Sequence, residues 1–429
     1  MAALVRRELP RLVAGLTRLL RDVGRAEELA QDALVAALER WPADGVPDNP
    51  GAWLMTTAKH RALDELRRRR LREQKHAVLG WSGAAPATPD LEAEIDDDVG
   101  DDLARLLFVA CHPVLSAEAR VALTLRLLCG LGTDEIARAF LVPEPTVAQR
   151  IVRAKRTLAE AHVPFEVPRG AERAARLASV LEVVYLVFNE GYAATTGDDW
   201  MRPALCEEAL RLGRVLTDLV PDEPEAHALV ALMELQASRT AARTGPRGEP
   251  ILLLEQDRSR WDRAAIARGI AALGRVHALG GRRGPYALQA AIAGCHAVAP
   301  SAAETPFAGI AALYGELALV VPSPVVELNR AVALGMAFGP AAGLALVDAL
   351  ADEPRLAAYH WLPSVRGDLL AKLGRWDEAR RELTRAASLT RNARERELLL
   401  DRAAACERAG LVEPADEAGR SSREEPKGG

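Results

Sequence analysis

The sequence predicts an all-α protein, and three observations carry that prediction. Ala, Leu and Arg dominate the 429 residues, while aromatic residues make up only 4%. Helices favour Ala and Leu, whereas strands favour β-branched and aromatic side chains. Apolar residues also recur at helical spacing along several segments. With 49% hydrophobic and 27% charged residues the chain can bury a core, and its length suggests about two to four domains. No apolar run approaches the ~18–20 residues that a membrane helix needs. The first 25 residues carry charges throughout, so no signal peptide is expected. Cys111, Cys129, Cys206, Cys295 and Cys406 are odd in number and show no C-x-x-C spacing. Reduced thiols in a cytoplasmic protein are expected, with no disulfide framework and no metal site.

The net charge of -5 conceals a pattern. Residues 1–75 sum to +4, residues 76–102 to -8, residues 103–167 to +2 and the remainder to -3. In the first block, Ala26 to Trp41 predicts a helix with Leu29, Ala33 and Ala37 on one side. Glu27, Glu28, Gln31 and Asp32 give its other side an acidic character, for which plain solvation is the simplest account. Asn49 as cap and Pro50 at the first position open a second helix, with Met55, Ala58, Ala62 and Leu66 facing inward. Trp53, Lys59, His60 and Arg61, followed by an arginine run from Arg67, set an aromatic among cations. That combination suits single-stranded nucleic acid, in which bases stack and phosphates meet arginine. A core tryptophan and a solvated helix end are the plainer alternatives. Residues 76–102 then read as an acidic linker, either a solvated connector or a segment that occupies a basic nucleic-acid channel.

Residues 103–165 carry the most specific pattern. Ser116 is placed to cap a helix through Leu123, Leu127 and Leu128, which Gly130 and Gly132 stop. Thr133 is a second expected cap. Pro143 and Pro145 form a turn, and a last helix is expected from near Thr146. On that helix Val147, Ile151, Ala154 and Leu158 make an inward stripe, which leaves Thr146, Gln149, Arg150, Arg153 and Arg156 on the opposite face. This is the pattern of a helix-turn-helix whose outer helix carries side chains that bond base edges and phosphates. An ordinary helical hairpin with a solvated basic face is the alternative.

Three stretches together carry a resemblance: Ala26–Leu34, Asn49–Arg67 and Asp134–Lys155. They resemble a bacterial sigma-70-type factor of the extracytoplasmic-function (ECF) group, with region 2 over residues 1–75 and region 4 over 103–165. The resemblance implies a helical bundle for region 2, a helix-turn-helix for region 4, and binding to core RNA polymerase and promoter DNA. It implies that Glu28, Gln31 and Asp32 dock on the β′ clamp helices, and that region 4 meets the β flap. Trp53, Lys59, His60, Arg61 and Arg67 match the segment that melts and reads the -10 element; His60 stands where many members have Asn. Thr146, Gln149, Arg150, Arg153 and Arg156 match the helix that reads the -35 element. The linker would thread polymerase channels built for RNA.

The long remainder resembles the helical, tetratricopeptide-like extension of one subgroup, with a helical segment over 170–280, repeats over 281–412 and a flexible tail over 413–429. Gly374-Arg-Trp-Asp-Glu-Ala379 with Leu383 and Ala386 resembles helix B of a repeat; Gly367 and Leu370 fall on helix A before it. Gly339 lies 35 residues upstream of Gly374, close to one repeat. A regulatory protein or ligand is the expected partner there, with Arg258, Trp261, Arg282, Arg283 and Tyr286 as candidates for one concave face. No catalytic motif is found, so no catalysis and no cofactor are expected; Asn189 to Tyr192 reads as a capped helix end. The competing functional reading is a non-sigma helix-turn-helix regulator with a ligand-sensing helical domain.

Overall fold

The computed structural model describes residues 2–79, 99–140, 142–193, 200–246 and 248–421. Its regular elements are helices, joined among the described residues by one isolated bridge between Thr244 and Pro250. The chain divides into two compact units, Met1–Val187 and Phe188–Gly429. No helix among the described residues is long and apolar enough to cross a membrane.

The first unit contains α1 (Ala2–Leu20), α2 (Val23–Asp44), α3 (Pro50–Leu79), α4 (Val99–Ala110), α5 (Ala117–Leu128), α6 (Thr133–Phe140), α7 (Glu144–Glu160) and most of α8 (Gly170–Tyr192). α1 lies at its centre and packs on α2, α3, α4 and α5. Leu12, Val13 and Leu16 supply its buried face, with Leu29, Ala33 and Ala37 from α2 and Leu54, Ala58 and Ala62 from α3. Met55 and Leu66, expected inside, are only half-buried; Leu54 takes the inner position instead. Asn49 Oδ1 accepts from the Ala52 amide at 3.1 Å and starts α3. Ser116 Oγ likewise accepts from the Ala119 amide at 3.3 Å and starts α5.

Several local expectations are corrected. Thr133 is the first residue of α6 and not its cap; the Gly132 amide donates to Glu135 Oε2 at 2.8 Å instead. α7 begins at Glu144, because Pro145 fits the first turn, where an amide hydrogen has no partner to lose. Asp102, assigned to the linker, sits in α4, buried between Arg18 at 3.3 Å and Arg105 at 2.9 Å. The first compact unit runs past the junction expected near Pro168, to Val187. The reason is that Arg176 of α8 donates to the Phe108 carbonyl at 3.0 Å and Ser179 to that of Cys111 at 2.6 Å. Residues 80–98, the bulk of the expected linker, lie outside the described residues.

The second unit continues with α9 (Pro203–Leu219), α10 (Pro224–Ala237), α11 (Arg263–Ala278), α12 (Pro285–Val298), α13 (Phe307–Val320), α14 (Pro324–Phe338), α15 (Pro340–Ala349), α16 (Trp361–Lys372), α17 (Trp376–Leu389) and α18 (Ala393–Ser421). Contacts run mostly between sequence neighbours, as in a repeat array. Small residues set the close approaches. A Cβ on Gly343 of α15 would lie 2.6 Å from the Ala331 carbonyl oxygen of α14. One on Gly367 of α16 would lie 2.8 Å from Leu383 of α17. Leu328, Leu369, Leu370, Leu383 and Ala386 then fill between the pairs. α18 stays helical to Ser421, past the expected start of a flexible tail at 413.

His296 of α12 sits against Phe307, with ring centroids 5.8 Å apart. Burial, and then the charges of Arg239 and Arg258, push its imidazole down to about 4. An unfolded histidine titrates near 6.5. Between pH 6.5 and about 4 the unfolded chain therefore binds a proton that the folded chain refuses. Stability of the second unit should fall as pH drops through that window, by up to about 3 kcal/mol. Thermal unfolding across pH checks this, and His296→Gln should remove most of the loss.

Candidate nucleic-acid and polymerase interface

The outer helix α7 separates its faces cleanly. Val147, Ile151, Ala154 and Leu158 are buried against the other helices of this region. Gln149, Arg153 and Arg156 are exposed, while Thr146 and Arg150 are half-buried at the edge of that face. Arg156 is held by Glu160 at 2.6 Å, so its guanidinium is partly committed along the helix. The Val142 amide donates to Ala137 at 3.1 Å and that of Thr146 to Pro143 at 2.9 Å, which closes the turn between α6 and α7.

On α3, Trp53, His60 and Arg67 recur every seven residues and share one side. His60, Arg61 and Arg67 are exposed, and Lys59 is half-buried. Trp53 is half-buried, edge-on to the buried Trp41 with centroids 5.4 Å apart, so part of its ring anchors α3 to α2. Arg67 pairs with Asp64 at 3.6 Å, and Arg61 with Asp32 of α2 at 3.7 Å. Glu28 and Asp32 of α2 are exposed; Gln31 is half-buried and its amide donates to Glu27 Oε1 at 2.7 Å.

Glu27 does not share the solvation expected for its face. It is 2% exposed. Arg126 of α5 donates to its Oε1 at 2.7 Å, and Lys155 of α7 pairs with its Oε2. Burial opposes ionisation of this carboxyl, but Lys155 and then Arg126 outweigh it and hold the group below its usual value. Lys155 follows Ala154 of the inward stripe, and its charge is spent on α2 rather than facing outward with Arg153 and Arg156.

The five cysteines are free. Burial pushes the thiols of Cys111 and Cys206 up to about 12, so neither is poised to react. The expected concave face is not assembled. Trp261 is buried in one apolar cluster beneath Arg258, and Tyr286 packs on another. Arg258 caps the end of α12 through the His296 and Ala299 carbonyls at 2.7 and 2.6 Å. Arg282 and Arg283 are exposed. Glu190, at the end of α8, is buried against Arg202.

Comparison with known proteins matches this architecture. Residues 4–72 fit the model for sigma-70 region 2, and residues 105–158 that for sigma-70 region 4. The ECF RNA polymerase sigma factor SigL of Mycobacterium tuberculosis (strain H37Rv) is 34% identical over 142 residues, covering 33% of this chain and 76% of SigL. This chain belongs to the ECF sigma factors. SigK of Mycobacterium sp. (strain KMS), another ECF sigma factor, is 31% identical over 35% of this chain and 76% of its own length. The uncharacterised protein R00370 of Rhizobium meliloti (strain 1021) is 43% identical over 90% of this chain and 91% of its own. Residues 176–277 of this sigma factor match DUF6596, a family of unknown function. No solved structure matches the chain. The protein therefore acts in transcription initiation, in a family that binds core RNA polymerase and promoter DNA.

Removing the Glu27 carboxylate leaves two cations facing a dry site. A fully buried pair broken in this way costs about 3–5 kcal/mol. Lys155 and Arg126 each keep about a fifth of the side chain exposed, so the cost here is smaller. Glu27→Ala should lower the stability of the first unit by about 2 kcal/mol, read from its denaturant midpoint.

Proposed function

We propose that this ECF sigma factor reads the -35 element with Gln149, Arg153 and Arg156, flanked by Thr146 and Arg150. The carrying observation is the split of α7 into a buried apolar stripe and an exposed polar one. A helix so divided presents hydrogen-bond donors to a major groove without disturbing its own packing. Trp53, Lys59, His60, Arg61 and Arg67 of α3 are assigned to the melted -10 strand. Single-strand bases stack on aromatics and phosphates meet cations, and the exposed cations of α3 suit that role. Glu28, Gln31 and Asp32 of α2 are assigned to the β′ clamp helices, and region 4 to the β flap. The protein works in the cytoplasm with the polymerase, takes no cofactor and performs no chemistry of its own.

The free protein is a weak DNA binder in this reading. Blocks of +4 and +2 neutralise few phosphates, and phosphate contacts dominate non-specific affinity. The second unit is the regulatory part, and its helical pairs suit a protein or ligand partner.

Run-off transcription with purified core polymerase on genomic promoter fragments tests both parts. Gln149→Ala and Arg153→Ala should each reduce promoter-specific transcript about 5- to 150-fold, equivalent to about 1–3 kcal/mol per base contact. Arg156→Ala should cost less, because Glu160 already engages its guanidinium. A chain ending at Val187 should differ in activity from the full chain. Lost activity makes the second unit a requirement, gained activity makes it a restraint, and equal activity removes its regulatory role. Tight promoter binding without polymerase, and no polymerase-dependent transcript, would favour a one-component regulator.

A further inference from the structure

We infer that the second unit carries an anion site for a phosphate group, built from the guanidiniums of Arg239 and Arg243 beside the Tyr192 ring. This names a ligand class for the regulatory role proposed above, and rests on that role only for its effect on transcription.

Two arginines meet at one ring. Arg239 lies just past α10, and Arg243 follows the single 3-10 turn Thr240–Ala242. Their Cζ atoms lie 5.8 and 3.5 Å from the centre of the Tyr192 ring, so they are no further apart than those two distances together. Trp200 lies 5.6 Å from Arg243, and Phe188 stacks on Tyr192 with centroids 5.7 Å apart. The aromatic rings thus hold the guanidiniums in place before any ion arrives.

These cations lack the partners that burial normally demands. Arg243 is 6% exposed, and arginine is seldom so buried unless paired. Its hydrogen bond goes to the uncharged Tyr192 carbonyl. Burial pushes its guanidinium below the usual value, and Arg239 adds to that push. Arg239 is half-buried, and its Nε is buried without a partner. Among the described residues neither guanidinium meets a carboxylate. Glu190, two residues before Tyr192, is taken by Arg202. Arg258 also feels the charge of Arg239, and its own hydrogen bonds go to the His296 and Ala299 carbonyls and the Thr305 hydroxyl.

Holding like charges together away from water opposes folding. Groups perturbed in this way cluster where a ligand supplies the missing charge. A carboxylate would bring one negative charge to two guanidiniums, with Arg258 adding a third positive charge. A phosphate monoester brings about 1.5 to 2, and its oxygens match the arginine fork.

The test uses the full chain and inorganic phosphate, titrated by calorimetry at constant ionic strength with chloride as the anion replaced. One saturable site is expected. At about five times the dissociation constant, phosphate should raise the unfolding midpoint of the second unit by about 2–4 °C over chloride. An equal response to phosphate and chloride would overturn the site. Arg239→Gln should weaken phosphate binding at least tenfold without lowering the midpoint in chloride, because the guanidinium has no hydrogen bond to lose. A lowered midpoint in chloride with phosphate binding intact would instead make Arg239 structural and overturn the inference. Arg282→Gln, an exposed arginine of the same unit, should bind like the wild type. Phenyl phosphate separates two sources of the group: tighter binding than inorganic phosphate assigns the site to an ester, and equal or weaker binding to the free ion. Run-off transcription with and without phosphate separates the site from its role. Bound phosphate that leaves the transcript unchanged sustains the site and removes its regulatory effect.

Discussion

A carboxylate excluded from water must be met by cations, and the first unit is organised around one such demand. Glu27 finds Arg126 and Lys155, which come from helices about a hundred residues further along the chain. A buried ion pair adds little net stability compared with apolar residues of the same size. Its effect is to fix one arrangement: sliding α7 along α2 by a turn would strand the charge. The apolar packing of α1 against α2 to α5 supplies the bulk of the burial, while Glu27 sets the register.

α7 shows how one short helix serves several neighbours. With 3.6 residues per turn, positions 147, 151, 154 and 158 fall inward and 149, 153 and 156 outward. Position 155 falls between, and its long stem carries the ammonium to α2. Because Lys155 and Arg153 differ by about 200° around the axis, the charge that pairs with α2 is separated from those on the exposed face.

Much of this fold is legible in the sequence because it is local. The caps at Asn49 and Ser116, the turn at Pro143 and the stripe on α7 follow from residues within a few positions of one another. Gly367 and Leu370 opposite Leu383 follow from repeat spacing. The misses are of another kind. Glu27 reads as one more polar residue on an acidic face, since no local signal announces that Lys155 will reach it. Asp102 reads as part of a charge run, yet Arg18 lies more than eighty positions away. Trp53 reads equally as a stacking platform or a core tryptophan, and its edge contact with Trp41 depends on the angle between two helices. Arg258, grouped with Arg283 on one expected face, instead holds the end of α12, a contact that periodicity does not encode. The proposed DNA and polymerase residues follow from sequence alone, and the structure adds which of them are exposed and which are already engaged by a neighbour.

The nearest-neighbour packing of the second unit carries an evolutionary consequence. A helix that leans chiefly on the helices before and after it can be duplicated, lost or exchanged as part of a pair without rebuilding the remainder. Gly343 and Gly367 mark close approaches within successive pairs, and one apolar cluster continues from pair to pair. Such an array can change length in steps of about one repeat while the helices of the first unit stay as they are. The second unit is thereby free to diversify at a rate separate from that of the sigma regions.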